Sequence, residues 1–203
     1  MLYIDEKGHV DAARIIVKIF KTIERGKLDK VNGIVVHQTD SPTARSTFNS
    51  YQNAGANGAH FLIDKDGTIY QTASLFRITW HVGKIKSRCF MTQKCDPAEF
   101  KRVAELEKSW KNSDKISKSE HAKNFPNRFP INSDSVGIEI VGQSITMVKG
   151  QERVYERVNS FQNEALRWLI HELADTLQVT MNEIYRHPET SRKTSTEAST
   201  AQW

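Results

Sequence analysis

Val31-Asn32-Gly33-Ile34-Val35-Val36-His37 is the stretch of this sequence that decides the fold. Its β-branched run favours a strand with both faces buried in the middle of an α/β sheet. The run ends at a histidine, and functional sites on α/β sheets tend to open at the carboxyl ends of strands. The stretch therefore predicts a central strand and marks His37 as a candidate functional residue.

The segments that follow this strand predict a helix and a hairpin. Asp40-Ser41-Pro42-Thr43 is typical of a turn and a helix cap, and it predicts a helix over about 44–54. Residues 59–71 predict two strands joined through Asp66-Gly67, which is a strong signal for a β-hairpin. His60 lies on this hairpin, where it either lines a cleft or is a packed structural imidazole.

Three more helices are predicted elsewhere in the chain. Residues 11–25 carry apolar side chains three and four positions apart, which predicts an amphipathic helix ended by Gly26. Asp96-Pro97-Ala98-Glu99 is typical of a helix start, with the aspartate as N-cap and proline in the first turn. Residues 160–177 carry the clearest apolar stripe and predict the longest helix.

The length of the chain predicts a single compact domain. A chain of 203 residues can bury a full core. We expect an N-terminal extension at residues 1–30, whose helix packs on the domain, and the main domain at residues 31–203. We expect a surface insertion over about 84–134, in which the polar stretch 111–134 borders the functional cleft.

Composition excludes wholesale disorder but does not reveal function. Hydrophobic residues make up 38% of the chain and charged residues 26%, which is ordinary for a soluble globular protein. The net charge of +5 would favour polyanions, although a basic surface that only keeps the chain soluble is equally compatible. A nucleic-acid-binding protein therefore has only the charge in its favour. The apolar stretches are too short to predict a membrane span.

Two features bear on where the protein acts. Residues 1–8 do not resemble a signal peptide, so a target outside the cytoplasm would require another route of export. Cys89 and Cys95 either close a small disulfide loop in an oxidising compartment or remain two free thiols.

A second histidine and one carboxylate complete a candidate metal site. His187 lies in Ile184-Tyr185-Arg186-His187-Pro188, and Glu139 lies inside the apolar run 135–142. Ionising a carboxylate there is costly unless a cation or a reacting proton is nearby. Neutral imidazoles are good zinc ligands, so His37 and His187 together with Glu139 predict a zinc hydrolase. The alternatives are ordinary histidines and a structural ion pair at Glu139.

The sequence resembles the zinc-dependent N-acetylmuramoyl-L-alanine amidases of the type 2 family. This family includes phage lysozyme-type amidases and, more distantly, animal peptidoglycan-recognition proteins. The resemblance covers about residues 31–203 and consists of five motifs in a fixed order. They are the strand ending in His37, the hairpin motif Ala59-His60-Phe61-Leu62-Ile63-Asp64 with Asp66-Gly67, Trp80-His81-Val82-Gly83, Ser135-Val136-Gly137-Ile138-Glu139, and His187 to Lys193.

The resemblance implies a fold and a reaction. It implies an α/β domain with a central mixed β-sheet flanked by helices, and cleavage of the amide between N-acetylmuramic acid and L-alanine in peptidoglycan. Zn²⁺ would polarise the carbonyl and lower the pKa of its bound water. Glu139 would take and return the proton, and Lys193 would stabilise the oxyanion.

The third zinc ligand is where this chain departs from the family. Relatives place cysteine or aspartate two residues after the lysine, but here that position is Ser195, whose hydroxyl is a poor zinc ligand. We expect Glu197 to replace it as the third ligand, with a different loop path. Some phage relatives use a tyrosine just before the hairpin histidine for catalysis. Here that position is Ala59, so proton transfer falls to Glu139.

The remaining predictions concern substrate and setting. We expect Trp80, His81 and His60 to contact substrate, although Trp80 is equally compatible with a core position. The alternative function is a non-catalytic peptidoglycan-binding recognition module, in which Ser195 marks a site with weak or absent metal.

The absence of a recognisable signal peptide, the possible Cys89–Cys95 disulfide and the closing stretch Thr196 to Trp203 look similar to interbacterial amidase effectors. Such a protein would be cytoplasmic before export, would act on cell wall in the periplasm or outside the cell, and would have an immunity protein that plugs its cleft. A phage lysin or a cytosolic wall-recycling enzyme would share the same active site.

Overall fold

A six-stranded mixed sheet forms the centre of the computed structural model, which describes residues 1–145 and 152–203. The strands in chain order are β1 (Tyr3–Ile4), β2 (Val10–Asp11), β3 (Ile15–Val17), β4 (Glu24–Lys27), β5 (Gly33–Gln38), β6 (Phe61–Ile63), β7 (Ile69–Gln71), β8 (Arg77–Thr79), β9 (Ser135–Ile140), β10 (Ser144–Ile145), β11 (Val154–Tyr155) and β12 (Ile184–Arg186). The α-helices are α1 (Ala44–Tyr51), α2 (Arg88–Met91), α3 (Pro97–Glu107), α4 (Ser113–His121), α5 (Ser160–Leu177) and α6 (His187–Thr190).

The order of strands in the central sheet is β12-β5-β9-β6-β7-β3. Strands β6 and β7 are antiparallel, and the other neighbouring pairs are parallel. All six residues of β5 are buried, so the 31–37 stretch forms a central strand as its β-branched run predicts. The predicted single α/β domain with a mixed sheet is confirmed.

Helix α5 covers the sheet and supplies much of the core. Asn159 caps it, since the side chain accepts a hydrogen bond from the backbone N–H of Gln162. Its buried face joins sheet residues in one hydrophobic cluster and includes Leu166, Leu169 and Leu173. The predicted helix at 160–177 is therefore confirmed in its bounds.

The predicted helix at residues 11–25 is wrong. Strand β3 lies in this segment and pairs in parallel with β7, and β4 pairs with β8. Three consecutive β-branched residues, Ile15, Ile16 and Val17, prefer an extended backbone, and β7 offers them an open edge. The N-terminal segment thus contributes an edge strand to the main sheet, whereas the domain boundary at residue 30 stays a prediction.

The predicted insertion contains three helices and a disulfide. Asp96 caps α3 by accepting from the N–H of Glu99, as the sequence predicts. Cys89 and Cys95 are disulfide-bonded. Helix α4 lies in the stretch that its polar composition assigns to the surface, and Glu120 of this helix is buried against Lys123. Among the described residues, no helix has the length and apolar character needed to cross a membrane.

Candidate active site

Strand register brings three predicted site residues to one edge of the sheet. Strands β12 and β5 are parallel with Arg186 opposite Val36, so His187 emerges beside His37. On the other side of β5, Glu139 of β9 lies opposite His37. The carboxyl ends of these strands meet at one edge, which is where sites on such sheets open.

His37, His187 and Glu197 form one buried cluster. The Nδ1 atoms of the two histidines are 2.8 Å apart, and Oε1 of Glu197 lies 2.9 Å from His187 Nδ1 and 3.6 Å from His37 Nδ1. Each histidine is 2% exposed and Glu197 is 5% exposed. The three residues predicted as metal ligands are therefore brought together, although they are far apart in sequence.

The Nε2 atoms of His187 and His37 are both hydrogen-bonded to other parts of the protein. The two Nδ1 atoms therefore face a shared point. His187 Nε2 lies 2.8 Å from the carbonyl oxygen of Val82, so this nitrogen carries the proton and donates. His37 Nε2 lies 3.0 Å from Nδ1 of His81. Metal-binding histidines typically have their other nitrogen held in this way. Two imidazole nitrogens and a carboxylate oxygen are a donor set that suits zinc.

The charge states of the cluster agree with ligation. Burial lowers the pKa of His37 to about 3, and the neighbouring His187 adds to the effect, so the His37 imidazole is neutral at pH 7. Burial opposes ionisation of Glu197, but the adjacent His187 and His37 side chains outweigh it and lower its pKa to about 2. A neutral imidazole and an ionised carboxylate are the forms that bind a metal ion.

Local backbone geometry explains why Glu197 and not Ser195 reaches the histidines. Ser195 is exposed, and its N–H and hydroxyl both donate to the carboxylate of Glu152, at 2.6 and 3.0 Å. A turn follows in which the N–H of Glu197 donates to the carbonyl of Thr194. Ala198 then adopts a φ of 53° while its N–H donates to the Gln38 side chain. This turn absorbs the two additional residues between the family position and Glu197.

Glu139 lies beside the cluster in an unusual electrostatic setting. Its Oε2 atom is buried and has no hydrogen-bond partner within residues 1–145 and 152–203. Burial raises the pKa of Glu139 to about 8, and the negative charge of Glu197 adds to the rise while Lys193 opposes it. A carboxyl group with this pKa can hold and release a proton near neutral pH, which is what acid–base catalysis requires.

A cleft of about 560 Å³ opens over these residues. Lys193 is exposed and lines the cleft, and its role in stabilising an oxyanion stays a prediction. Trp80 forms part of the rim, with half of its surface exposed and the guanidinium of Arg25 stacked 4.5 Å from its ring centroid. Trp80 is therefore available to contact a ligand and is not a core residue.

The two other predicted substrate contacts differ in position. His81 lines the cleft, but its ring nitrogens are engaged with His37 and Ser135. His60 is fully buried, with Nε2 2.8 Å from the carbonyl of Arg77 and Nδ1 accepting from the N–H of Gly137. The predicted substrate contact at His60 is corrected to the alternative, a packed structural imidazole, because hydrogen bonds to the protein hold both of its nitrogens.

Sequence reasoning missed one cleft residue, Tyr155. It lies on β11, whose antiparallel partner β10 is tied to the cleft through hydrogen bonds from Ser144 to Asp40. Burial raises the pKa of the Tyr155 phenol, and the charges of Glu197, Asp40 and Glu139 add to the rise, so the hydroxyl stays protonated. The sequence around it, Arg153-Val154-Tyr155-Glu156, carries no motif, and only the tertiary fold brings it to the cleft.

Comparisons with known proteins agree with this geometry. The family model described as N-acetylmuramoyl-L-alanine amidase matches residues 27–198. In a comparison with curated protein sequences, no match was found.

Several solved structures share the fold at low sequence identity. The endolysin N-acetylmuramoyl-L-alanine amidase LysCS from Clostridium intestinale is 16% identical, with 90% of this chain and 86% of that chain covered and a TM-score of 0.50. A selenomethionine derivative of AmpD is 16% identical over 96% and 92% of the two chains, with a TM-score of 0.55. AmpDh3 from Pseudomonas aeruginosa, in complex with anhydromuramic pentapeptide, is 18% identical over 95% of this chain and 60% of that chain, with a TM-score of 0.53. The family match spans both histidines, both carboxylates and the lysine of the cleft, and this chain belongs to the N-acetylmuramoyl-L-alanine amidase family.

Proposed function

We propose that this amidase is a zinc hydrolase that cuts the amide between the lactyl group of N-acetylmuramic acid and L-alanine in peptidoglycan. The observation that carries the proposal is the convergence of His37 Nδ1, His187 Nδ1 and Glu197 Oε1 within one buried cluster. Three protein ligands with one position left open is the usual arrangement of a catalytic zinc. When bound, zinc supplies Lewis acidity, polarising the scissile carbonyl and lowering the pKa of water from about 15.7 toward about 7.

Glu139 performs the proton transfers in this proposal. Its carboxylate lies in the same cleft as the ligand cluster and its Oε2 is free of protein partners among the described residues. It takes a proton from the attacking water and returns one to the leaving amine of L-alanine. The raised pKa of Glu139 supports the second half of this cycle, since a carboxyl group of ordinary pKa holds its proton poorly at pH 7.

Lys193 and Trp80 position the substrate. Lys193 brings a positive charge to the cleft beside Glu139 and Glu197, where it can stabilise the oxyanion that forms from the carbonyl. The uncovered part of Trp80 offers an aromatic surface at the rim for a sugar ring or the peptide stem.

Digestion of purified sacculi tests the reaction. We expect stem peptides free of sugar, identified by mass spectrometry, together with about one zinc per chain. The His37→Ala variant should lose both zinc and cleavage, because it removes one of the ligands. Fragments in which the stem remains attached to muramic acid would contradict the proposed bond. A metal-free protein that binds muropeptides without cutting them would favour a recognition module.

We also propose that the enzyme acts on cell wall outside the cytoplasm, as an antibacterial effector. The Cys89–Cys95 disulfide supports this setting, because disulfides form and persist in oxidising compartments. Expression in a Gram-negative host should lyse cells when the protein is directed to the periplasm and not when it is kept in the cytoplasm. An immunity protein that plugs the cleft is then expected in the producing cell. Equal toxicity in both compartments would contradict the proposal.

A further inference from the structure

The loop Trp80-His81-Val82-Gly83 contacts both histidines of the buried cluster of His37, His187 and Glu197, at their Nε2 atoms. The carbonyl oxygen of Val82 accepts from His187 Nε2, and the His81 side chain lies against His37, with Nδ1 3.0 Å from His37 Nε2. We propose that His81 is a positioning residue that fixes the orientation and tautomer of His37, and not a residue that contacts substrate. This inference rests on the zinc site proposed above.

A chain of three hydrogen bonds assigns the proton on each ring. Ser135 Oγ lies 2.7 Å from the carbonyl oxygen of Ile131, and since a carbonyl can only accept, the hydroxyl donates there. The lone pair of Ser135 Oγ is then free to accept from His81 Nε2–H, at 3.2 Å. A neutral His81 protonated on Nε2 has an unprotonated Nδ1, which accepts from His37 Nε2–H. The lone pair of His37 is thereby placed on Nδ1, the atom that faces His187 and Glu197.

The backbone holds the His81 ring in place. The side-chain oxygen of Asn132 accepts the backbone N–H of both His81 and Val82, at 2.9 and 2.8 Å. The ring sits over Gly137 of β9, where a Cβ atom would come within 2.8 Å of His81 Cγ and Nδ1. The rings of His81 and His37 meet edge to face, with centroids 5.1 Å apart. The strand β9, the loop backbone and the chain of hydrogen bonds therefore hold the His81 ring in one orientation.

This arrangement predicts a role in metal affinity. Without an acceptor at Nε2, His37 can rotate or move its proton to Nδ1, and the protonated nitrogen cannot ligate. Loss of a residue that hydrogen-bonds a metal-binding histidine typically lowers metal affinity about 10–100-fold. A substrate contact at His81 would instead change KM and leave metal affinity alone.

Zinc affinity of full-length variants, measured by competition with a chromophoric chelator, tests the inference. His81→Phe keeps the ring volume and removes the acceptor, and we expect zinc affinity to fall about 10–100-fold. His81→Gln provides a side-chain carbonyl that can accept from His37, and it should recover part of the loss. His171→Phe on the exposed face of α5 is the matched control and should bind zinc like the wild type. Circular dichroism and thermal unfolding of the metal-free variants establish that each is folded.

A second measurement needs no variant. In the zinc-loaded wild type, imidazole ¹⁵N shifts should show His81 protonated on Nε2 and accepting at Nδ1. A His81 protonated on Nδ1 would overturn the inference, as would His81→Phe with wild-type zinc affinity and a raised KM. A wild type that binds no zinc would instead remove the proposed function itself. The two failures are therefore distinguishable.

Discussion

Glu139 and Glu197 are two carboxylates of one cleft, and their surroundings push their pKa values apart. Burial, reinforced by the charge of Glu197, raises the pKa of Glu139 to about 8. Glu197 is also buried, but the adjacent His187 and His37 side chains lower its pKa to about 2. Environments that separate two carboxyl groups in this way also separate their roles. In the proposed mechanism Glu197 stays ionised as a metal ligand, and Glu139 exchanges a proton.

The first prediction at the residue scale concerns Glu139→Gln. The amide keeps the size of the side chain and removes its capacity for proton transfer, so kcat should fall about 10²–10⁴-fold. Zinc content and the unfolding temperature should stay close to the wild type, because Glu139 is outside the ligand cluster. Turnover of a soluble muropeptide, followed beside metal analysis, checks this. Unchanged turnover would remove Glu139 from the mechanism.

The identity of the third ligand gives a paired prediction. Glu197→Ala removes the carboxylate that lies 2.9 Å from His187 Nδ1 and should lower zinc affinity strongly. Ser195→Ala is the matched control, since the Ser195 hydroxyl is exposed and donates a hydrogen bond to Glu152, and Ser195 is not part of the cluster. Titration with zinc distinguishes them. Loss of metal in Ser195→Ala alone would show that the ligand is at the family position after all.

The residues of the buried cluster could be predicted from sequence, and some of their neighbours could not. His37 and His187 stand at strand ends in recognisable motifs, and Glu197 has the required chemistry within reach of a short turn. The burial of His60 and the approach of Tyr155 depend on how separate segments pack. Neither is encoded in a local pattern, because alternation in a strand shows which side a residue faces and not what covers it.

At the scale of elements, the segment 11–25 shows where periodicity misleads. Ile15, Ile16 and Ile19 fit helical spacing, but the β-branched run also fits an edge strand. The backbone of this segment donates to β7 and the residue after it, through Lys18 to Gln71 and Phe20 to Thr72. A partner edge that is distant in sequence therefore decides the conformation, and no window of local residues contains that information.

The ion pairs of Glu99 on α3, with Arg102 of the same helix and with Lys123 after α4, give a prediction about how stability depends on pH. Hydrogen bonds from Arg102 lower the pKa of Glu99 to about 2, against a counteracting effect of burial, and Lys123 adds to the lowering. A carboxyl whose pKa is lower in the folded state stabilises the fold above its unfolded pKa of 4.5, and this contribution disappears as the pH falls toward 2. Because the pair is partly exposed, we expect about 1 kcal/mol.

Urea unfolding at pH 7 and pH 3 measures this contribution. The difference in free energy of unfolding between the wild type and Glu99→Gln should be largest at pH 7 and should shrink at pH 3. Glu105→Gln is a suitable control, since Glu105 lies on the same helix in an exposed pair with Lys108. A difference between wild type and Glu99→Gln that is independent of pH would contradict the assignment.

At the scale of the whole molecule, the N-terminal segment is part of the folding unit. Leu2, Val10, Ile15 and Leu28 are buried in the same cluster as the sheet and α5. Deleting residues 1–30 exposes that part of the core and the edge of β7, so we expect the remaining chain to aggregate or to unfold at a markedly lower temperature. Light scattering and thermal unfolding of the truncated chain check this. A truncated chain as stable as the full one would support an independent domain at 31–203.

Zinc should stabilise the entire fold, because the ligand cluster joins β5, the start of α6 and the C-terminal segment. A ligand that binds only the folded state at 100 times its Kd adds about 2.7 kcal/mol. For a chain of this size that is a rise in unfolding temperature of roughly 5–11 °C. Thermal unfolding with chelator and with added zinc should show this rise in the wild type and not in His37→Ala. An equal rise in both proteins would mean that zinc binds elsewhere, because two of the three donors alone would not hold it with the same affinity.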